Sequence, residues 1–257
     1  MDIASLVGVV VALIIVFTVQ LLEGGSPTSI ILLPSMLLVF GGAFFAAMAG
    51  GVLKDAVGIG KLFQKVFLAK VTPPTQLVDE VVKLAERARR EGLLALEDAV
   101  KTVEHPFLKR GLQLAIDGTD PEELHDILHA EIAAKKKADK AGKKFFENMG
   151  GYAPTIGIIG TVMGLVHVLE NLSQPDKLGH LIAGAFIATL WGVMTANVIF
   201  LPIGNRLGRC SQIEASRMEM VIEGVLAVQA GANPRAVQQR LTSLLPADER
   251  DAEEKAA

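Results

Sequence analysis

Tyr152-Ala-Pro-Thr-Ile-Gly-Ile-Ile-Gly-Thr-Val-Met-Gly-Leu-Val-His-Val-Leu169 holds no Lys, Arg, Asp or Glu, and three further stretches, Ile3–Leu22, Ile30–Val52 and Leu181–Ile203, are of the same kind. An apolar helix of about 20 residues rises about 30 Å, the thickness of the bilayer hydrocarbon core. The first stretch meets that length, the Tyr152 stretch is slightly short, and the other two have a little to spare. Of the 25 Lys and Arg residues, 17 lie between Lys54 and Lys144 and 7 follow Pro202, leaving only Lys177 between the last two stretches. The positive-inside rule reads this as four transmembrane helices, with both termini and a large central segment in the cytoplasm. No acid or base sits in the middle of any span. If the protein moves ions, the titrating group must come from another chain.

Composition agrees with a membrane protein that carries a soluble insert. The chain of 257 residues is 51% hydrophobic and 21% charged, and the two kinds of residue are segregated. A formal net charge of −3 gives no sign of nucleic-acid binding. The single cysteine, Cys210, excludes a disulfide within the chain and a metal site built from thiolates. Met1-Asp2 lacks the basic start of a cleavable signal, so the first stretch reads as a retained span. No G-x-x-x-x-G-K-[ST], H-E-x-x-H or G-x-S-x-G motif occurs. An enzyme, a metal centre and a bound cofactor are therefore not expected.

The pattern predicts an all-α protein in four parts: a hairpin over residues 1–53, a cytoplasmic helical domain over 54–150, a second hairpin over 151–203, and C-terminal helices and a tail over 204–257. Glu23-Gly-Gly-Ser-Pro-Thr-Ser29 is a short external loop without positive charge, and Thr28–Leu33 reads as a short helix at the outer interface. Lys54, Lys61 and Lys65 anchor the second span at the headgroups. Val71-Thr-Pro-Pro74 ends the first cytoplasmic helix, and Thr75 caps the next. Gly92 interrupts, Leu93–Val103 is predicted as another helix, and His105-Pro106 breaks it. Asp120-Pro-Glu-Glu123 is a helix start, and the pattern stays helical to about Asn148, with a break expected at Gly150-Gly151. After the fourth span, Gly204–Gln229 continues as a helix. Gly231-Ala-Asn-Pro234 turns the chain into a last helix, Pro234–Leu244, and Asp248–Ala257 reads as a disordered charged tail.

Several residues are candidates for function. Gly157, Gly160 and Gly164 in the third span, and Gly184, Ala188, Gly192 and Ala196 in the fourth, form small-residue stripes that let backbones approach closely in lipid. They pack within the chain or around a partner helix. Thr155, Thr161, Thr189 and Thr195 supply hydroxyls. Each can bond its own backbone one turn back, or together they can line a narrow wet path, and spacing does not separate the two. Pro154 and Pro202 mark one depth near the cytoplasmic ends of their spans, as helix punctuation or as a hinge. Arg87–Asp98 mixes both charge signs around Gly92, a pattern common on solvated faces. His167 and Glu170 lie at headgroup level near the outer end of the third span.

The order of these features resembles the flagellar motor stator subunits of the MotA/PomA family, within the MotA/TolQ/ExbB superfamily. Three segments carry the likeness: Ala88-Arg-Arg-Glu-Gly-Leu-Leu-Ala-Leu-Glu97; Tyr152-Ala-Pro-Thr-Ile-Gly-Ile-Ile-Gly-Thr-Val-Met-Gly-Leu165; and Ala185–Gly192 running on to Asn197 and Pro202, followed by Met220-Val-Ile-Glu-Gly-Val-Leu226. It spans the chain from Met1 to about Leu245. The resemblance implies a homopentamer in the bacterial inner membrane around two MotB chains, each bringing one membrane aspartate. A transported cation, Na+ or H+, would then drive the ring against the rotor protein FliG. It further implies that Arg89 and Glu97, with Arg90 as helper, face the rotor. Pro154 and Pro202 would couple the channel to the cytoplasmic domain, and Thr161 and Thr189 would lie beside the MotB aspartate. Threonine at both 161 and 189 resembles the sodium-type members. An ExbB/TolQ-like energising subunit, with three spans, and a non-conducting membrane scaffold are the alternatives. The tight Ile3–Val52 hairpin and the Arg89–Glu97 segment speak against the first.

Overall fold

Every regular element among the described residues of the computed structural model is helical; these are residues 3–51, 53–60, 62, 74–245 and 250. In chain order they are α1 (Ile3–Leu22), a 3-10 turn (Pro27–Ile30), α2 (Leu33–Ala49) and α3 (Leu53–Val57); then α4 (Pro74–Glu91), a second 3-10 turn (Leu93–Leu96), α5 (Glu97–Thr102) and α6 (Pro106–Ile116); and finally α7 (Pro121–Glu170), α8 (Pro175–Met194), a π segment (Thr195–Phe200), α9 (Leu201–Gln229) and α10 (Pro234–Ser243). The side chains of Lys54, Lys61 and Lys65, the Val71–Pro73 break and most of the Asp248–Ala257 tail lie outside the described residues.

Five points differ from the sequence pattern, each for a local reason. The second apolar stretch is helical only over Leu33–Ala49. Pro34 fixes the start of the helix, and Gly50-Gly51 follows its end. Pro27–Ile30 is a 3-10 turn rather than a helix over Thr28–Leu33. Gly150-Gly151 does not break the chain: α7 runs for 50 residues through both glycines and through Pro154. Leu93–Val103 is not one helix. Gly92 takes φ +87° and ψ 162°, a region open essentially to glycine, and the chain restarts as a 3-10 turn before α5. Lys177 is not in a loop, since α8 begins at Pro175 and includes it.

The chain forms two compact units, residues 1–69 with 138–210, and residues 70–137 with 211–257. The first unit is apolar outside as well as inside. Its core gathers Val39, Phe145, Phe146, Met149, Trp191, Phe200 and Ile203. Among the described residues, all but two of the exposed large hydrophobics belong to it, including Ile14, Leu37, Phe45, Ile158, Val162 and Phe186. Water does not tolerate so continuous an apolar surface. Two of the protein's helices, Pro121–Glu170 and Pro175–Gln229, are long and apolar enough to cross a membrane, and Leu6–Leu22 and Leu33–Ala49 are shorter apolar helices. One polar contact fixes α2 in this unit. Pro34 has no N–H to offer the carbonyl of Ile30, four residues back, and the indole Nε1 of Trp191 donates to that carbonyl at 2.6 Å. Tryptophan thereby fills an acceptor that the proline leaves open.

The second unit is a water-facing bundle. Leu77, Val81 and Leu84 of α4, Leu108 and Leu112 of α6, Leu124 and Leu128 of α7, Val221, Ile222 and Val225 of α9, and Leu241 of α10 close one core. Asp120 caps α7 through the Glu122 amide at 2.9 Å, and Asn233 caps α10 through the Arg235 amide at 3.1 Å. The Gln229 amide reaches the Thr119 carbonyl at 2.7 Å, tying the end of α9 to the start of α7.

His105 caps α6 by accepting from the Leu108 amide through Nδ1 at 3.3 Å. Burial, and secondly the Arg217 guanidinium, push its pKa below the ordinary 6.5. The unfolded chain therefore takes up a proton at higher pH than the folded one, and stability rises with pH across that window. Lowering the pH from neutral through about 6.5 should weaken protection of the Leu108 amide and destabilise this unit. The loss should level off below the depressed folded pKa. Hydrogen exchange of the purified chain against pH measures it, and in His105→Asn, whose side chain caps without titrating, the pH dependence should flatten.

Candidate functional site

Contact between α7 and α8 is made by backbone. A Cβ on Gly157 would stand 2.8 Å from the Ala188 carbonyl oxygen, and one on Gly192 would stand 2.6 Å from the Ala153 carbonyl oxygen. On Gly160 it would meet the Ala188 Cβ at 2.6 Å, and on Gly164 the Ala185 Cβ at 2.6 Å. Ala188 and Ala196 are buried. Gly184 differs: nothing stands nearer to its open face than the Leu32 Cδ2 at 3.6 Å. Gly157, Ala188, Gly192 and Ala196 are thus buried, Gly160 and Gly164 are half-buried but pressed against α8, and Gly184, also half-buried, has room for a Cβ.

This close approach brings two hydroxyls together. Thr161 Oγ1 and Thr189 Oγ1 lie 2.5 Å apart across the two helices. Thr161 donates to the Ala185 carbonyl at 2.9 Å, and the Gly157 carbonyl lies 3.3 Å from both hydroxyls. Four oxygens therefore share two protons. With Thr161 directed at Ala185, Thr189 can direct its own proton at Thr161. Such a cluster can rearrange its protons in place or turn oxygen lone pairs towards a hard cation. It has no charge of its own, so a cation held there in a low dielectric needs a carboxylate from elsewhere. The other two threonines are tied to their own helices. Thr155 is exposed and donates to the Tyr152 carbonyl at 2.8 Å. Thr195 is fully buried and donates to the Trp191 carbonyl at 2.7 Å.

Pro154 and Pro202 behave differently. Pro154 sits inside an uninterrupted α7, with its Cα 3.3 Å from a Cβ built on Gly192. Ahead of Pro202 the helix widens to a π segment, Thr195–Phe200, in which the Leu201 amide bonds Ala196, five residues back. Proline cannot donate to the Val198 carbonyl, which favours under-winding, and the Thr195 hydroxyl joins its own amide on the Trp191 carbonyl. The sequence reading singled out Pro202 and Thr195 but did not anticipate the π turn they frame.

Arg89 and Arg90 occupy the last turn of α4, and Glu97 is the first residue of α5. All three side chains are exposed, and no hydrogen bond or ion pair engages them among the described residues. Each sign sits at the helix end whose dipole favours it. Their neighbours are paired: Arg87 with Glu91 at 3.1 Å, and Lys101 with Asp98 at 2.8 Å. His167 and Glu170 meet at 3.3 Å on the exposed end of α7.

Known proteins are similar to this chain over most of its length. The profile of the MotA/TolQ/ExbB proton channel family matches residues 99–220. The chain is 36% identical over 251 residues to motility protein A of Bacillus subtilis, covering 97% of this chain and 93% of that protein. Among solved structures, the C. jejuni MotAB structure superposes with a TM-score of 0.91 at 30% identity, covering 96% and 97% of the two chains. The flagellar MotAB stator complex of Bacillus subtilis superposes with a TM-score of 0.88 at 36% identity, again over 96% and 97%.

Gly192→Ala forces a methyl against a backbone oxygen that no side-chain rotation can clear. It should cost about 1–3 kcal/mol and separate the Thr161 and Thr189 hydroxyls. Gly184→Ala, with ordinary contact distance available, should leave stability within about 0.5 kcal/mol. Thermal unfolding of the two detergent-purified variants measures the contrast.

Proposed function

Because this chain belongs to the MotA/TolQ/ExbB proton channel family, we propose that it works as an ion-conducting stator subunit of a bacterial flagellar motor, resident in the inner membrane. One observation carries this reading: the likeness to motility protein A and to solved MotAB stator complexes runs over nearly the whole chain. In this reading α1, α2, the apolar half of α7 and α8 with the π segment are the four spans. Both termini and the 54–150 and 204–257 segments lie in the cytoplasm.

The chain has the oxygens but not the acid. A MotB-type single-span partner supplies the aspartate beside Thr161 and Thr189, and five copies of this chain surround two such partners. Five equivalent faces cannot all satisfy two helices at once. Neutralising one aspartate with a cation changes its preferred neighbour, and the ring steps. Pro154 and Pro202 pass the step to the cytoplasmic unit, with the π segment as the element that changes pitch. Arg89, Arg90 and Glu97 deliver it to FliG. The cation is cargo, and the two paired threonines favour sodium.

Reconstituted alone in liposomes, the chain should pass no cation current; with its aspartate-bearing partner, an unplugged complex should. Robust flux from the chain alone would overturn the reading. The sodium assignment has its own test. Swimming speed at fixed pH should rise and saturate with sodium, and Thr161→Val should raise the half-saturating concentration about tenfold or more, the effect of losing one strong oxygen contact. Swimming that ignores sodium would assign the proton instead.

A further inference from the structure

Outside the membrane-type unit, two large hydrophobic side chains stand in water among the described residues: Leu94, which is 74% exposed, and Leu244. A single exposed leucine needs no explanation by itself. The surroundings of Leu94 set it apart. It is the second residue of the 3-10 turn between α4 and α5, so it projects between Arg89 and Arg90 on one side in sequence and Glu97 on the other. None of those three exposed charges makes a hydrogen bond or ion pair among the described residues, although Glu97 acts on Lys101 at longer range, while Arg87 is paired with Glu91 and Lys101 with Asp98.

The turn is also held firmly. The Gly92 amide closes α4 on the Ala88 carbonyl at 2.9 Å, and the Ala95 amide returns to the Gly92 carbonyl at 3.2 Å. Leu96 is fully buried, and Leu93 packs against the core of the unit. Two of the three leucines therefore anchor the turn and force the third outward. A flexible loop could fold such a side chain away, but this one cannot.

From this we infer that Leu94 is an apolar anchor of the rotor contact, seated in a nonpolar socket on a rotor surface that carries a carboxylate opposite Arg89 and Arg90 and a basic group opposite Glu97. The inference rests on the reading of Arg89–Glu97 as the rotor-facing segment and deepens it. Exposed ion pairs are individually weak and screened by salt. Load-bearing contacts between proteins concentrate their energy in a desolvated apolar centre, ringed by polar groups that exclude water and fix orientation. Leu94 with its flanking charges has that composition. The charges set register and sign, and the leucine holds the surfaces together through a step.

The test uses fluorescently tagged stators in motile cells, reading the dwell time of single units at the motor and the torque on a tethered bead. Leu94→Ser should shorten dwell about tenfold, the scale of losing one buried leucine. Leu94→Met, which conserves volume and polarity, should stay within about twofold of wild type. Because the side chain is exposed, co-purification with the partner chain and helix content should be unchanged in both. If Leu94→Ser dwells like wild type while Arg89→Glu does not, the anchor is wrong and the rotor-facing reading survives. If Leu94→Met fails as badly as Leu94→Ser, an apolar contact is also wrong. If neither Arg89→Glu nor Leu94→Ser alters dwell or torque, the rotor-facing reading itself falls.

Discussion

Two helix backbones approach this closely in an apolar medium only where side chains do not intervene, and at Gly157 and Gly192 none do. Apolar burial contributes little to helix association in lipid, because the tails are as apolar as leucine. The gain comes from short-range packing, which fades within an ångström of separation. The contact therefore has little tolerance. Its depth sets the 2.5 Å spacing of Thr161 and Thr189, so the polar cluster is a consequence of the glycine packing. A hydroxyl alone in this setting would bond its own helix, as Thr155 does through the Tyr152 carbonyl.

The two prolines sit in differently wound stretches of helix. Pro154 lies within regular α7, but the approach to Pro202 is under-wound. A π segment leaves backbone groups one residue out of register with the α pattern on either side, so returning to α pitch rotates everything beyond it by roughly a third of a turn. Thr195, fully buried at the start of this segment, shares the Trp191 carbonyl between its hydroxyl and its own amide. Trp191 in turn is fixed through its indole to Ile30. A chain of single hydrogen bonds thus connects the α2 entry to the one place in α8–α9 where pitch can change.

Much of this is legible in the sequence. The charge-free stretches and the distribution of Lys and Arg identify the apolar helices, and the repeat of small residues in α7 and α8 marks the faces that meet. Helix ends are legible where a cap or a proline speaks locally, as at Asp120-Pro121 and Asn233-Pro234. They are not legible where tertiary packing overrides a weak breaker. Gly150 lies on a buried face, with Leu201 at 2.7 Å from a Cβ built on it, while Gly151 is exposed, and α7 continues because packing at the first offsets the propensity cost. The site is half legible. Four threonines are visible in the chain, but only the inter-helix geometry separates Thr161 and Thr189 from Thr155 and Thr195. The π turn has no distinctive composition; a buried threonine seven residues before a proline is its only trace. Leu94 is likewise invisible, since three neighbouring leucines read alike until the backbone turns one of them out.

Charge placement follows one rule in both units. The membrane-type unit keeps its spans free of acids and bases, because an uncompensated ion in hydrocarbon costs several kcal/mol. Among the described residues, no hydrogen bond or ion pair engages Arg89, Arg90 or Glu97, although Glu91 and Lys101 are near in sequence. Pairing them internally would gain little in water and would remove them from any outside contact. Helix dipoles hold each charge where it is at a gain of about 0.3–1 kcal/mol without occupying its hydrogen-bonding groups. On the proposed function, the Thr161–Thr189 cluster lacks a charge because a partner brings the acid, and the Arg89–Glu97 charges stay available to a second surface.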